Sequence, residues 1–374
     1  MTHSQQLFST ITSDGELILE QKQVELPQPT DNEVLVKVEA APINPSDMWP
    51  MFGLADLSKA KLTYNDTEKK LTAPIFEGML PSLKTRLDQE CPIGNEAAGT
   101  VISAGSYEAA QALVGKKVAI LSGSTFAEYA IVSSQMCLPH AESTTFQEAC
   151  SSFVNPLTAL CMTETMRNEQ HKALVHTAAA SNLGQMLNRV CIADNIPLVN
   201  IVRKQEQVEI LNALGAKHVI NSTVKPYTQL LRSAIDQTGA TLGFDATGGG
   251  NLANDILSAM EAVLTKDVKG LNTYGSLQHK QVYLYGGLDI SPTSLQRNYG
   301  MSWGVGGWLL MRTLNSLEPS RAAALYHRVA SEIKTTFASK YTAVLSFEEA
   351  LSPRNIARYN AKKTGEKYLI NPCL

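Results

Sequence analysis

The chain has 374 residues, 44% of them hydrophobic, and a formal net charge of −3. That is long enough for two domains of ordinary size with a sizeable core. Acids and bases are interspersed, with no basic stripe to follow a nucleic-acid backbone and no polybasic run to meet anionic lipid, so neither nucleic acid nor a membrane is expected as a partner. No apolar run reaches membrane-spanning length. Met1 to Gln6 lacks the positive segment and apolar stretch of a secretory signal. The six cysteines (Cys91, Cys137, Cys150, Cys161, Cys191, Cys373) are scattered without CxxC spacing, which predicts reduced thiols in a cytoplasmic protein rather than disulfides.

Residues 1–150 read as β-rich. Glu33 to Ala40 alternates at period two and predicts a half-buried strand. Gly99–Gly105, Lys117–Leu121 and Phe126–Val132 predict further short strands between turn residues, a pattern that suits a small barrel or sandwich. From about residue 150 the rhythm becomes strand, helix, strand, helix. Leu183, Met186, Leu187, Val190 and Cys191 fall at i, i+3, i+4, i+7 and i+8, the stripe of an amphipathic helix. Leu198–Val202 is a buried-type strand, and the helix over Val208–Leu214 stops at Gly215. His218–Ile220, Leu242–Ala246 and Val282–Tyr285 predict more strands, with a helix through Leu252, Ile256, Leu257, Met260 and Val263. Such alternation argues for a doubly wound parallel sheet. A long helix over about 317–338 is expected to lead into a short β-rich tail ending at Tyr368–Ile370.

Between the apolar run Ala173–Val175 and the first amphipathic helix lies His176-Thr177-Ala178-Ala179-Ala180-Ser181-Asn182-Leu183-Gly184. Positions 179, 181 and 184 keep the spacing of the dinucleotide fingerprint G-x-G-x-x-G, although only Gly184 is glycine. A tight strand-to-helix turn aims backbone N–H groups at one point and suits an anion such as a pyrophosphate. The Ser181 hydroxyl can add a donor. The same stretch also suits an ordinary βα turn without a ligand. The next strand runs into Arg203-Lys204 with no acid at its tip. An acid there would bond a ribose 2′-OH, whereas Arg and Lys attract a 2′-phosphate, so the expected cofactor is NADPH. A solvated helix start is the plainer account of those two residues. Thr247 and Gly248, in Asp245-Ala246-Thr247-Gly248-Gly249-Gly250, lie past a strand end on the ligand side of such a sheet, where a simple flexible turn is the plainer account.

Several short motifs occur in order: Pro42-Ile43-Asn44-Pro45-Ser46-Asp47, Gly94-Asn95-Glu96-Ala97-Ala98-Gly99, Asn155-Pro156-Leu157-Thr158-Ala159, the Ala-Ala-Ser-x-x-Gly turn, Leu214-Gly215-Ala216 and Lys363-Thr364-Gly365-Glu366-Lys367. Together they resemble the medium-chain dehydrogenase/reductase superfamily, in its zinc-independent quinone oxidoreductase branch. The resemblance covers nearly the whole chain. It implies a Rossmann domain over 151–325 and a GroES-like β-rich catalytic domain over 1–150, completed by 326–374. It further implies an active site between them and a homodimer formed through the Rossmann domains. Zinc-dependent members carry a cysteine near the first motif and G-H-E in the second. Asn44 and Asn95 stand at those positions, and neither amide is a good zinc ligand.

The resemblance also assigns candidate residues. Asn44 and Asp47 would be catalytic, beside the nicotinamide, although both also suit turn chemistry next to Pro45. Thr158, Ala179, Ser181, Asn182, Leu183, Gly184, Arg203, Lys204, Asn221, Thr247, Gly248, Tyr285, Gly286, Gly287 and Lys363 would bind NADPH. The implied activity is reduction of quinones or α,β-unsaturated carbonyls, with a small-molecule substrate and no metal. A related possibility is an enoyl-thioester reductase. Those enzymes place a catalytic tyrosine shortly after the first motif, where this chain offers only Tyr64, farther on. A third reading is an NADPH-binding protein with little turnover, in which Trp49, Met51 and Phe52 fill the cleft. Residues 53–92 are longer than the corresponding loop of relatives, and suit either a lid or a plain surface insertion.

Overall fold

The computed structural model describes residues 2–374. The chain divides into two compact units, Met1–Val154 with Tyr326–Leu374, and Asn155–Leu325. The first unit opens with strands β1 (Thr2–Ile11), β2 (Glu16–Leu26), β3 (Glu33–Ile43), β4 (Lys61–Tyr64), β5 (Lys69–Pro74), β6 (Cys91–Pro92), β7 (Glu96–Ala104), β8 (Lys117–Leu121), β9 (Tyr129–Ser133) and β10 (Cys137–Pro139). The second unit carries β11 (Leu174–His176), β12 (Leu198–Val202), β13 (His218–Asn221), β14 (Leu242–Asp245), β15 (Gly248–Gly250), β16 (Lys280–Leu284), β17 (Asp289–Thr293) and β18 (Trp303–Gly307). The chain then returns to the first unit with β19 (Ala343–Leu345) and β20 (Tyr368–Ile370).

In the first unit, one sheet has the order β4-β5-β2-β1-β6, and another follows the path β10-β8-β7-β3-β20-β19 with β9 also on β3. The period-two reading of β3 holds over residues 36–40, where Val36, Val38 and Ala40 are buried and Lys37 and Glu39 lie at the margin, but Val34 and Leu35 are both buried. β3 is long enough to pair with β9 at one end and with β20 at the other, so a strand from the C-terminal segment completes the N-terminal sheet. This unit is the GroES-like part of the fold.

The second unit is a Rossmann sheet. Its six strands are all parallel in the order β13-β12-β11-β14-β16-β18, and the sequence order reverses between β11 and β14. Helices Asn182–Ala193, Gln205–Ala213, Tyr227–Thr238 and Leu252–Leu264 make the crossovers. The stripe Leu183, Met186, Leu187, Val190 and Cys191 is buried throughout. Asn188 on that helix and Asn200 on β12 exchange two amide hydrogen bonds, 2.8 and 3.0 Å, which satisfies two polar groups inside the core. All six cysteines are free thiols, and Cys150, Cys161 and Cys191 are buried. Among the described residues no helix is long and apolar enough to cross a membrane.

Several sequence expectations need correction. Residues 53–92 are not a detached lid. β4 and β5 extend the β1–β2 hairpin, Leu71, Ala73 and Leu83 enter the core, and the Arg86 guanidinium donates to Trp49 O (2.8 Å) and Ser9 Oγ (2.7 Å). Met51 and Phe52 lie in the core of the first unit rather than in a cleft, and Trp49 is exposed. The strand expected from Phe126 begins at Tyr129, because Phe126 bonds to Leu7 and Ile93 and turns the chain first. The long helix over 317–338 is shorter, Pro319–Glu332, and follows a separate helix, Leu310–Ser316. The tail is not purely β: capped helices at Phe347–Leu351 and Pro353–Asn360 separate β19 from β20.

Because β5 belongs to the core, Leu71→Ala is expected to cost about 2–5 kcal/mol in urea unfolding of the full chain, while the exposed Lys61→Ala stays near wild type. Equal and negligible effects would show the segment to be peripheral.

Candidate active site

In the second unit, β11 ends in a turn that enters the helix Asn182–Ala193. Ala178 takes a left-handed conformation (φ +49°), an unusual one for a residue with a Cβ. Ala179 N bonds to Ile201 O (3.3 Å) and Ser181 N to Ala178 O (2.9 Å), which draws the turn against β12. Ser181 caps the helix by accepting from Gly184 N (3.1 Å). Its own hydroxyl proton is still available to donate outward. A Cβ at Gly184 would come within 2.2 Å of Ala179 O, so glycine is required for this closeness of turn and helix. The result is a tight cradle at a twelve-residue helix's positive end, which fits a dinucleotide's pyrophosphate.

The neighbouring strand ends supply the rest of this face. Arg203 and Lys204 follow β12 with exposed side chains, and both backbone N–H groups donate to Gln207 Oε1 (3.0 and 3.2 Å). Thr223 ties Arg203 O to Asn221 Oδ1 (3.2 and 2.8 Å). Hydrogen bonds from Ser291, helped by the Arg203 charge, hold the Asp289 carboxyl below the usual range. Asp245 is used internally, accepting from Thr177 Oγ1 (2.6 Å), Thr247 N (2.8 Å) and Gly248 N (3.3 Å). A Cβ on Gly286 would meet Ala246 O at 2.5 Å, and one on Gly248 would meet Gly286 O at 2.7 Å, so these glycines let the tips of β14 and β16 touch. Beyond them lies an open depression of about 590 Å³ bordered by Tyr285, Gly286, Gly287, Trp308 and Arg312.

The first unit holds a buried polar cluster around Asn44. The antiparallel register pairs Tyr368 with Ile43, Leu369 with Pro42 and Ile370 with Ala41, so one step farther Lys367 stands opposite Asn44. Lys367 Nζ donates to Asn44 Oδ1 (3.0 Å), and Asn44 Nδ2 donates to Glu96 Oε1 (2.9 Å). Glu96 Oε2 accepts from Phe153 N (2.9 Å) and Val154 N (3.0 Å) at the start of the helix Val154–Asn168. Asp47 accepts from Asn44 N (2.7 Å) and Asn95 N (3.0 Å). All four side chains are buried. Burial pushes the Glu96 carboxyl up, with Lys367 opposing, and pushes the Lys367 ammonium down. Burial also raises Asp47 to about 7, its two backbone donors and Lys367 resisting and Glu96 assisting.

The residues singled out from the sequence therefore fall into two groups. Ala179, Ser181, Asn182, Leu183 and Gly184 form the turn and helix start, with Arg203, Lys204 and Asn221 at adjacent strand ends. Thr247, Gly248, Tyr285, Gly286 and Gly287 gather beyond β14 and β16. Thr158 is buried in the second turn of its helix. Asn44 and Asp47 sit in the polar cluster, while Lys363 is exposed on the turn after Pro353–Asn360. Glu96 and Lys367 are functional candidates that sequence reasoning missed: nothing local shows that Glu96 turns inward, and the segment 363–367 does not reveal which of its three charged residues does. His176, which contacts Tyr285, was likewise passed over. Tyr64 lies on the outer strand β4 and donates to Gln21 Oε1 (2.8 Å).

Residues 30–142 match the alcohol dehydrogenase GroES-like domain. Mouse prostaglandin reductase-3 is 25% identical over 236 residues, 62% of this chain and 54% of that protein. The mitochondrial enoyl-[acyl-carrier-protein] reductase of Xenopus tropicalis is 29% identical over 211 residues, 54% of this chain and 52% of that protein. The chain thus matches about half the length of these curated relatives. Among solved structures, a candidate NADPH:quinone reductase of Mesorhizobium loti superposes with a TM-score of 0.73 at 24% identity, covering 100% of both chains. A GroES-like unit completed by the C-terminal segment, joined to a six-stranded Rossmann unit, defines the medium-chain dehydrogenase/reductase fold. The chain has that fold, and its residues 30–142 carry the GroES-like domain of alcohol dehydrogenases.

The Asp47 shift has a measurable sign. Its folded-state pKa, about 7, is above the ordinary 3.8, so the folded protein holds a proton that the unfolded chain has released. That contribution is complete below about pH 4 and is lost as pH rises through 7. The difference in unfolding free energy between wild type and Asp47→Asn, measured in urea from pH 4 to 8, should therefore fall with rising pH. A flat difference would mean that Asp47 is ionised throughout.

Proposed function

We propose that this protein is an NADPH-dependent, zinc-independent reductase of quinones or α,β-unsaturated carbonyls. The observation that carries the metal-free part is the buried ammonium of Lys367, 3.0 Å from the Asn44 amide. It already places a positive charge where a zinc-dependent relative would have its first ligand. Asn95 is similarly engaged, donating to Ser46 Oγ (3.0 Å). Amides held this way are poor metal ligands, and the ammonium would repel a second cation.

The chain's own residues can hold the cofactor. Ser181, Asn182 and Leu183 would face the pyrophosphate, Arg203 and Lys204 the 2′-phosphate, and Thr247, Gly248, Tyr285, Gly286 and Gly287 the nicotinamide end. Thr158, Asn221 and Lys363 are further candidates on the same reading. When bound, the reduced nicotinamide supplies a hydride; the protein supplies position and electrostatics. Asn44, clamped between Glu96 and Lys367, offers a rigid amide, and Asp47 fixes the loop that carries it. The 29% identity to a mitochondrial enoyl-[acyl-carrier-protein] reductase supports enoyl thioesters as a second substrate class. Against it, Tyr64 is committed to Gln21 on an edge strand.

The assembly proposed is a homodimer. β18 ends the Rossmann sheet, and its outer edge has no neighbouring strand among the described residues. An edge strand of this kind readily pairs with another chain. Met301, just before it, is 76% exposed.

NADPH oxidation against a panel of quinones, enones and enoyl thioesters should show turnover with the first two classes. Tight NADPH binding with flat rates throughout would instead favour a binding protein. Arg203→Ala with Lys204→Ala is expected to weaken NADPH by at least about tenfold, given charge-assisted hydrogen bonds of roughly 1.5–3 kcal/mol each, and to leave NADH affinity unchanged. Parallel losses for both nucleotides would overturn the cofactor assignment. Sedimentation velocity should give a dimer, and Val305→Pro on the outer strand should shift it toward monomer.

A further inference from the structure

β11 and β16 lie on either side of β14, yet His176 at the end of β11 and Tyr285 just after β16 meet across it. His176 Nε2 is 2.7 Å from the Tyr285 hydroxyl, and the two rings stack at 5.8 Å with an interplanar angle of 19°. Phe244 packs edge-on against Tyr285 and Trp308, and Trp308 packs edge-on against Tyr285. The Trp308 indole is anchored in turn on Thr165 Oγ1 (3.1 Å). Three aromatic neighbours therefore hold Tyr285 at the wall of the depression beyond β16.

A count of protons shows which way the phenol points. His176 is fully buried, and burial lowers it to about 3, so the imidazole is neutral and carries a single N–H. Its Nδ1 has no hydrogen-bond partner among the described residues. A proton on Nδ1 would be a buried donor without an acceptor, which folded proteins avoid more strictly than an unpaired acceptor. The proton therefore belongs on Nε2, where it donates to the Tyr285 oxygen. The phenolic hydrogen then has no acceptor among the described residues, and a ligand in the depression that Tyr285 borders can supply one.

We propose that Tyr285, oriented by His176, is the hydrogen-bond donor to the carbonyl oxygen of a planar acceptor seated in this depression. The inference rests on the acceptor chemistry proposed above. Trp308 supplies an aromatic wall, Gly286, Gly287 and Gly307 leave room for a flat molecule, and Arg312 at the border favours negative charge. Tyr285 keeps its proton. Its hydrogen bond strengthens as charge grows on the acceptor oxygen, and a donor fixed in advance needs no reorganisation at that moment. Tyr285 would be the catalytic residue and His176 a positioning residue.

The test uses the full chain with Tyr285→Phe, His176→Leu and His176→Gln. The first readout is binding of 4-nitrophenolate, a planar oxyanion, followed by its visible absorption. Affinity should fall at least about tenfold in Tyr285→Phe and His176→Leu, and recover in His176→Gln, whose side-chain N–H can donate in place of Nε2. The second readout is turnover of acceptors that wild type reduces. kcat at saturating NADPH should fall by about 10²–10³ in Tyr285→Phe, the usual effect of removing one such donor. Unchanged phenolate binding in Tyr285→Phe, at wild-type thermal stability, overturns the assignment. If wild type reduces acceptors and Tyr285→Phe does so equally well, the donor role fails and the reductase reading survives. If wild type reduces none of them but binds phenolate through Tyr285, the reductase reading fails and the donor site stands.

Discussion

The amide of Asn44 is the point on which the first unit depends. It joins an ammonium on one side to a carboxylate on the other, and both are buried. Burying charges costs several kcal/mol each unless their hydrogen bonds are met. Here each is met by a different part of the chain: Lys367 from the C-terminal segment, Asn44 at the end of β3, Glu96 at the start of β7, and the backbone of Phe153 and Val154 at a helix start. The cluster thus locks together segments more than 300 residues apart. The same demand for satisfied partners makes the Asn44 amide rigid, which is what a group placed beside a reacting molecule requires. Structural and functional accounts of Asn44 and Asp47 are therefore compatible.

The second unit meets a different constraint. Parallel strands bring the C-terminal ends of β11, β12, β14 and β16 to one side, and the switch in strand order opens space there. Close approach is then bought with small residues at particular points. Gly184 admits Ala179 O, Gly248 admits Gly286 O, and Gly286 admits Ala246 O. Where alanine and serine replace the fingerprint's first two glycines, the turn still closes. Ala178 takes the left-handed conformation and Ser181 caps the helix. The left-handed residue, Ala178, lies outside the three fingerprint positions, so the turn keeps its geometry without the first two glycines.

Much of the second unit was legible because its signals are local. The helical stripe from Leu183 to Cys191 and the apolar runs at Leu198–Val202 and Leu242–Asp245 depend on residues a few positions apart, and the structure buries them as their periodicity implies. The first unit was less legible. The β1–β2 hairpin has mixed polarity along both strands and carries no clean alternation. Residues 53–92 looked like a loop because β4 and β5 are short and rich in lysine, yet they pair onto β2, and their few apolar residues reach the core. The long helix near residue 320 was overextended because nothing in its composition marks the end at Glu332.

The sequence by itself determined the alternation of strand and helix, the tight turn at Ala179–Gly184, the basic strand tip at Arg203-Lys204 and the amides at positions 44 and 95. Each of these follows from residue type and short spacing. Only the tertiary structure decided which polar groups meet. Lys367 rather than Lys363 turns inward because the β20–β3 register carries it opposite Asn44. Glu96 faces Asn44 and a helix start across 52 and 57 residues of sequence. His176 reaches Tyr285 over 109 residues because parallel pairing places both at the same end of the sheet. Such meetings are set by strand register and sheet order, sums over many distant contacts, and no local pattern of residues records them.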